Sequence, residues 1–294
     1  MNSGATMEKA KKFPPHPDRM PRYPNKKQSQ IESQYEITAD SITYLLTVRE
    51  SSTSTLIYFG GQNIWCLELQ VFPDNPIGLL SKIEYNELCT LKGAFKRGSG
   101  ILQLVGLGMS YIREQYPHVT HLEFDDASFR ECDTGANIDL PFFYYALYGQ
   151  TWYMMKMNAR PAKEFSDATA AFNAKKAMMT WEQFDAFVNT AYPLSESEIR
   201  VIWDSSATWQ EFFQALRDAT DIQRLCVWMA QWITPFIKRV AGLDFNSIRF
   251  TIPLENTHAH QVFSIIPWSV MRGGGRQKRV RTQRRTRRRF PPID

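Results

Sequence analysis

The 294-residue chain has few cysteines, no long apolar run and almost no acidic residue near its C-terminal end. Its four cysteines, Cys66, Cys89, Cys132 and Cys226, form no C-x-x-C pair and have no histidine at a zinc-site spacing. A structural zinc encoded by such a motif is excluded. Cys66 and Cys226 stand among large apolar residues, where a free thiol packs as a small hydrophobe, so the expectation is reduced cysteines in a reducing compartment. No apolar run reaches the roughly 18–20 residues that span a bilayer, and the N-terminus lacks a hydrophobic core of the signal-peptide kind. The expectation is a chain neither inserted in a membrane nor secreted by the usual route.

What is present is a foldable body with charged ends. Hydrophobic side chains make up 43% and aromatic ones 13% of the residues, enough to bury one large core or two modest ones. The formal charge of +5 hides a division, because ten of the 35 basic residues lie between Arg272 and Arg289. Residues 1–271 hold the other 25 against 29 acidic ones, so the body is mildly acidic and the tail strongly basic.

Residues 1–38 carry Pro14, Pro15, Pro17, Pro21 and Pro24 among lysines and arginines. Few apolar groups are available there to offset chain entropy, and an extended arm is expected. From Ser41 the texture turns β-branched and aromatic, broken by Ser51–Ser54, by Gly60-Gly61-Gln62-Asn63 and by Pro73-Asp74-Asn75-Pro76. These are turn compositions, and they predict a meander of three or four antiparallel strands.

The stretch from Lys92 to Asp126 organises the rest. A basic loop with glycines leads into Ile101, Leu102, Leu104, Val105, Leu107, Met109 and Ile112, which would cover most of a helix surface and so predict a buried helix ended by Pro117. A strand at His121–Phe124 follows, with Asp125, Asp126 and Ser128 at its C-terminal end, where open α/β sheets tend to bind ligands. The loop Arg97-Gly98-Ser99-Gly100 has two readings. It is either an anion cradle of backbone N–H groups or a tight turn that caps a buried helix.

A β-meander, then R-G-x-G-I, a helix, a strand and 144-YYALYG-149, resembles the GNAT-type N-acetyltransferases. The resemblance implies a mixed sheet split around acetyl-coenzyme A, with Arg97, Gly98, Ser99 and Gly100 holding the pyrophosphate. It also implies a carboxylate such as Glu68 or Glu84 as base and Tyr145 as the acid that protonates the departing thiolate. Leu102 stands where that loop has a small residue, which weakens a close approach of phosphate. The whole stretch from Gly98 to Ala159, with YPHVTHLEFDDAS, a cysteine and YYALYGQTWYMM, resembles proteins encoded by nucleocytoplasmic large DNA viruses. Gln150 stands where that group usually has lysine. This likeness implies a virion component made in the host cytoplasm, whose partners are other capsid proteins.

Beyond Pro161 the pattern is helical, with capping boxes at Thr180/Gln183, Ser195/Glu198 and Thr208/Glu211. A longer helix from Asp221 is interrupted before Pro235 and stopped at Gly242, and a last strand, SIRFTIPL, follows. The expected fold is α+β: a GNAT-like mixed sheet with flanking helices at 39–159, a helical insertion at 160–243, and a final strand and loop at 244–270. An arm at 1–38 and a tail at 271–294 extend from it.

Other candidates have ordinary explanations beside the chemical ones. Asp125, Asp126 and Glu123 read as a base or metal clamp, or as a solvated strand end whose carboxylates satisfy a turn. His258-x-His260 with Glu255 lacks a third and fourth ligand, so no metal site is expected. The aromatics from Phe142 to Tyr153 read as a binding pocket or, at their helical spacing, as core, with a surplus left for an interface. Arg272, Arg276, Lys278, Arg279, Arg281, Arg284, Arg285, Arg287, Arg288 and Arg289 would attract DNA or an acidic protein surface. The leading expectation is a non-enzymatic particle component tethered by its charged ends, without a cofactor. The alternative is an acetyl-coenzyme A-dependent N-acetyltransferase.

Overall fold

The computed structural model describes residues 31–96, 98–162, 165–255 and 262–268. Five consecutive antiparallel strands open it: β1 (Ile31–Ala39), β2 (Ile42–Glu50), β3 (Thr55–Gly60), β4 (Trp65–Val71) and β5 (Ile77–Ile83). The meander is thus one strand longer than the pattern predicts, because β1 occupies the end of the segment assigned to the arm. The reversal between β1 and β2 uses Asp40 and Ser41, both at positive φ (48° and 68°), as a tight two-residue hairpin requires.

Helix α1 (Ser99–Gln115) crosses one face of the sheet and returns the chain to β6 (His121–Asp125), which lies parallel to β5. It buries the face predicted for it, with Tyr111 meeting Phe59 edge-on at 5.8 Å. A hairpin of β7 (Phe129–Glu131) and β8 (Asn137–Asp139) follows, then α2 (Leu140–Tyr148), α3 (Trp152–Met157) and the short β9 (Arg160–Pro161).

The helical part comprises α4 (Ser166–Ala174), α5 (Trp181–Val188), α6 (Glu196–Ser205), α7 (Trp209–Ala219), α8 (Ile222–Ala230) and α9 (Ile233–Val240). All three capping boxes form, each satisfying the first-turn N–H groups as the sequence pattern requires. The interruption before Pro235 is the break between α8 and α9. Trp209, Phe184, Phe212 and Phe236 pack ring against ring at the centre, and Lys176 is buried with its ammonium 3.4 Å above the Trp203 ring.

These helices are not a separate body. Gln214 donates to the Leu147 carbonyl at 2.7 Å, Thr234 to Asp139 at 2.9 Å, and a continuous apolar core joins sheet and helices. The chain closes with two strands, not one. β10 (Arg249–Pro253) pairs with β6, while β11 (Phe263–Pro267) crosses to the far edge and pairs with β1. The sheet order is β11-β1-β2-β3-β4-β5-β6-β10-β9, and every neighbouring pair is antiparallel except β5 and β6.

The cysteines overturn the reduced-thiol expectation. Cys66 on β4 is bonded to Cys89, and Cys132 in the β7–β8 turn is bonded to Cys226 on α8. Partners 23 and 94 residues apart leave no short-range spacing for the sequence to display. Among the described residues no helix is long and apolar enough to cross a membrane, and no group of acids, histidines and cysteines could hold a metal ion.

Candidate functional site

The parallel pair β5–β6 is where the sheet opens. The two strands are in register only from Ile77 opposite His121 to Leu79 opposite Glu123. Past that point the β4–β5 ladder slips: Leu80 faces Leu69 and Lys82 faces Glu68, leaving Ser81 as an extra residue on β5. Such a bulge bends the strand that carries it. The C-terminal ends of β5 and β6 part, and the gap is a cavity of about 200 Å³ lined by Ser81, Lys82, Phe124, Asp126, Ser128 and Tyr153, among others.

Asp126 is the group that this geometry singles out. It is 2% exposed, its Oδ1 accepts from the Ser128 hydroxyl at 2.5 Å and from the Ser128 N–H at 3.2 Å, and its Oδ2 is buried without a partner. The turn-satisfying reading of Asp126 and Ser128 therefore holds, but Asp126 itself is buried, while Asp125 keeps the solvated character expected of the strand end. Burial pushes the Asp126 carboxyl up to about 6, with the two Ser128 bonds pulling the other way. Burial, and then the charge of Asp126, push the Tyr153 phenol up. Asp125, one residue away, is exposed and lies 3.5 Å from Arg249.

A second cavity, of about 440 Å³, adjoins the first through the shared residues Ile83, Ser128 and Tyr153. Aromatic rings from α2, α3 and the hairpin form much of it, so part of the aromatic segment from Phe142 to Tyr153 lines a hollow and the rest is core. Gly98 and Ile101 at the start of α1 close another side, and Arg130 reaches in from β7. A larger hollow of about 660 Å³ lies over α8, but its charged lining residues Asp133, Asp221 and Arg224 are all exposed.

The remaining predicted site residues divide. Gly98 lines the aromatic cavity at φ +78°, a conformation that glycine tolerates best, and Ser99 is exposed at the first turn of α1. Gly100 is buried under Phe95 and spends its N–H on the Lys96 carbonyl at 2.8 Å, which favours the helix-capping reading at that position. Glu84 follows the parted end of β5 but is paired with Lys82 at 2.6 Å, and Glu68 lies opposite Lys82 in the ladder.

Tyr145 is not at the cleft. It is fully buried between sheet and helices, 5.3 Å from Phe245 and 5.5 Å from Phe172, and burial pushes its phenol up to about 12. On a helix, neighbours one residue apart face different ways, so Tyr144 lines the aromatic cavity while Tyr145 points into the core.

Arg97, the pair His258 and His260, and the basic residues from Arg272 to Arg289 lie outside the described residues. No family model matches this chain, and no curated protein or solved structure does either. Sequence reasoning missed Arg130, which stands in no recognisable spacing, while Tyr153 falls within the aromatic segment Phe142–Tyr153 but carried no individual role there.

Proposed function

We propose that the chain binds an acyl-coenzyme A-type thioester in the gap between β5 and β6 and transfers its acyl group to an amine, as the N-acetyltransferases it resembles do. The observation behind this reading is the parting of the parallel strands at the Ser81 bulge, which leaves the buried carboxyl of Asp126 lining a gap that adjoins an aromatic cavity. The apolar arm of the ligand runs through the aromatic cavity and its carbonyl lies near Ser128. The amine nitrogen attacks that carbonyl carbon, the C–S bond breaks, and Asp126 accepts the proton that the amine loses. Tyr153 lines both cavities and takes the role the resemblance gives to Tyr145, returning a proton to the thiolate.

Thermal unfolding with acetyl-coenzyme A tests the reading. A ligand at about 100 times its dissociation constant adds about 2.7 kcal/mol of stability, so a clear rise in Tm is expected. No rise at millimolar ligand removes it.

A second reading rests on the tail: ten basic residues in the eighteen from Arg272 to Arg289 suit a component of a large DNA virus particle, tethered to DNA or to acidic protein surfaces. Mass spectrometry of purified particles is the direct test, and absence from the particle overturns it. Deleting residues 271–294 and measuring duplex DNA binding over a salt series tests the contact itself. An unchanged salt slope eliminates the tail.

A further inference from the structure

The aromatic cavity holds an unanswered charge. Arg130 is the only charged residue lining it among the described residues, and its Nε is buried without a hydrogen-bond partner. The guanidinium is held from behind. With the Gln223 amide turned so that its carbonyl faces Arg130, Gln223 accepts from Nη2 at 2.7 Å and its amide nitrogen donates to Asp133 at 3.3 Å. Two residues past Arg130, Cys132 is bonded to Cys226 on the same helix that carries Gln223, so the hairpin wall is fixed to α8 at two points.

A donor desolvated in this way costs free energy until a ligand supplies the acceptor. Gly98, at the start of α1, lines the same cavity, so the cation and the glycine turn border one space. Gly100, the residue the acetyltransferase pattern would use there, already donates its N–H to Lys96.

We infer that Arg130, held by Gln223 and the hairpin, is an anion-binding residue of this cavity and takes a phosphate of the ligand in the space it shares with Gly98, with the surrounding rings against the ligand's apolar or planar portion. A guanidinium suits this task because its planar fork matches phosphate oxygens in pairs. The chemical class is thus a phosphate-bearing molecule with an apolar arm or flat ring. The inference deepens the acyl-coenzyme A reading in that it names the anion contact, but it does not require acyl transfer.

The test uses the full chain and three probes: acetyl-coenzyme A, ADP, and S-acetyl-pantetheine, which has the apolar arm without phosphate. Binding is read by calorimetry in wild type, Arg130→Gln and Arg130→Lys, with unfolding curves showing that each variant folds. The expected result is a loss of about tenfold or more for both phosphate-bearing probes in Arg130→Gln, the range for a charged hydrogen bond. Arg130→Lys should restore part of it, and S-acetyl-pantetheine should be unaffected. Gln223→Ala, which removes the support and leaves the charge, should reproduce a smaller loss for the same two probes. Binding of ADP that depends on Arg130 without binding of acetyl-coenzyme A would leave this inference standing and remove the acyl-transfer reading. Equal losses for all three probes, or no loss for any, would overturn the inference, as would failure of both phosphate-bearing probes to bind wild type.

Discussion

Phe95 lies on the α-carbon of Gly100, its ring atoms 3.0 and 3.1 Å from where a Cβ would stand. Tyr85 stacks on the same ring at 5.7 Å and Tyr44 meets it edge-on at 6.4 Å, so the ring is held from two sides and has little room to retreat. The second glycine of the loop is small because a core aromatic needs the space.

Gly100→Ala should therefore destabilise the fold. Overpacking costs about 1–3 kcal/mol, while the gain in helix propensity is at most about 1 kcal/mol and smaller in a first turn. Gly98→Ala meets no atom within 4 Å, yet should cost about 1–2 kcal/mol through its backbone at φ +78°. Urea unfolding of both variants measures this, and a Gly100→Ala protein as stable as wild type would remove the packing explanation.

Asp126 should make stability fall as pH rises from about 4 to 6. Its folded value, about 6, lies above the ordinary 3.8, so in that window the unfolded chain gives up a proton that the folded chain keeps. Below the window both states are protonated and no penalty exists. Above it the full cost applies, on the order of 3 kcal/mol. Asp126→Asn keeps an acceptor for Ser128 and should flatten this part of the pH profile and raise stability at pH 7. An unaltered profile in the variant would show that another group carries it.

The two disulfides should differ in worth. In the chain-entropy account, closing 23 residues between Cys66 and Cys89 contributes about 3 kcal/mol, and closing 94 between Cys132 and Cys226 about 5 kcal/mol. The double variant Cys132→Ala/Cys226→Ala should unfold at lower denaturant than Cys66→Ala/Cys89→Ala. Alkylation of the denatured, unreduced protein should label no cysteine, and four labelled thiols would contradict both pairings.

Much of the local structure was legible in the residues. The three capping boxes each place an acceptor three residues before a first-turn N–H, an interaction complete within four residues of chain. The apolar spacing from Ile101 to Ile112 likewise marks α1 without reference to anything distant. The β-branched runs and turn compositions mark the strands, though Asp40-Ser41 hides the first hairpin because neither residue is a glycine.

The candidate site was less legible, since what qualifies each residue is the company it keeps. Tyr144 and Tyr145 are indistinguishable in composition, and only the rotation of α2 puts one in the cavity and the other under Phe245. Asp126 reads as a turn residue until the parting of β5 from β6 and the ring of Tyr153 enclose it. Arg130 has no motif around it at all.

The amino-acid sequence by itself determined the three capped helix starts, the strands between Ile42 and Ile83, the apolar face of α1, and that a strongly basic segment follows the body, because these depend on neighbours a few residues away. Tertiary structure decided that β11 crosses to the edge beside β1, that Cys132 meets Cys226, and that one extra residue at Ser81 opens the sheet. Those outcomes depend on contacts between residues far apart in the chain, where the cost of burying a carboxyl or a guanidinium is set by packing that no short stretch encodes.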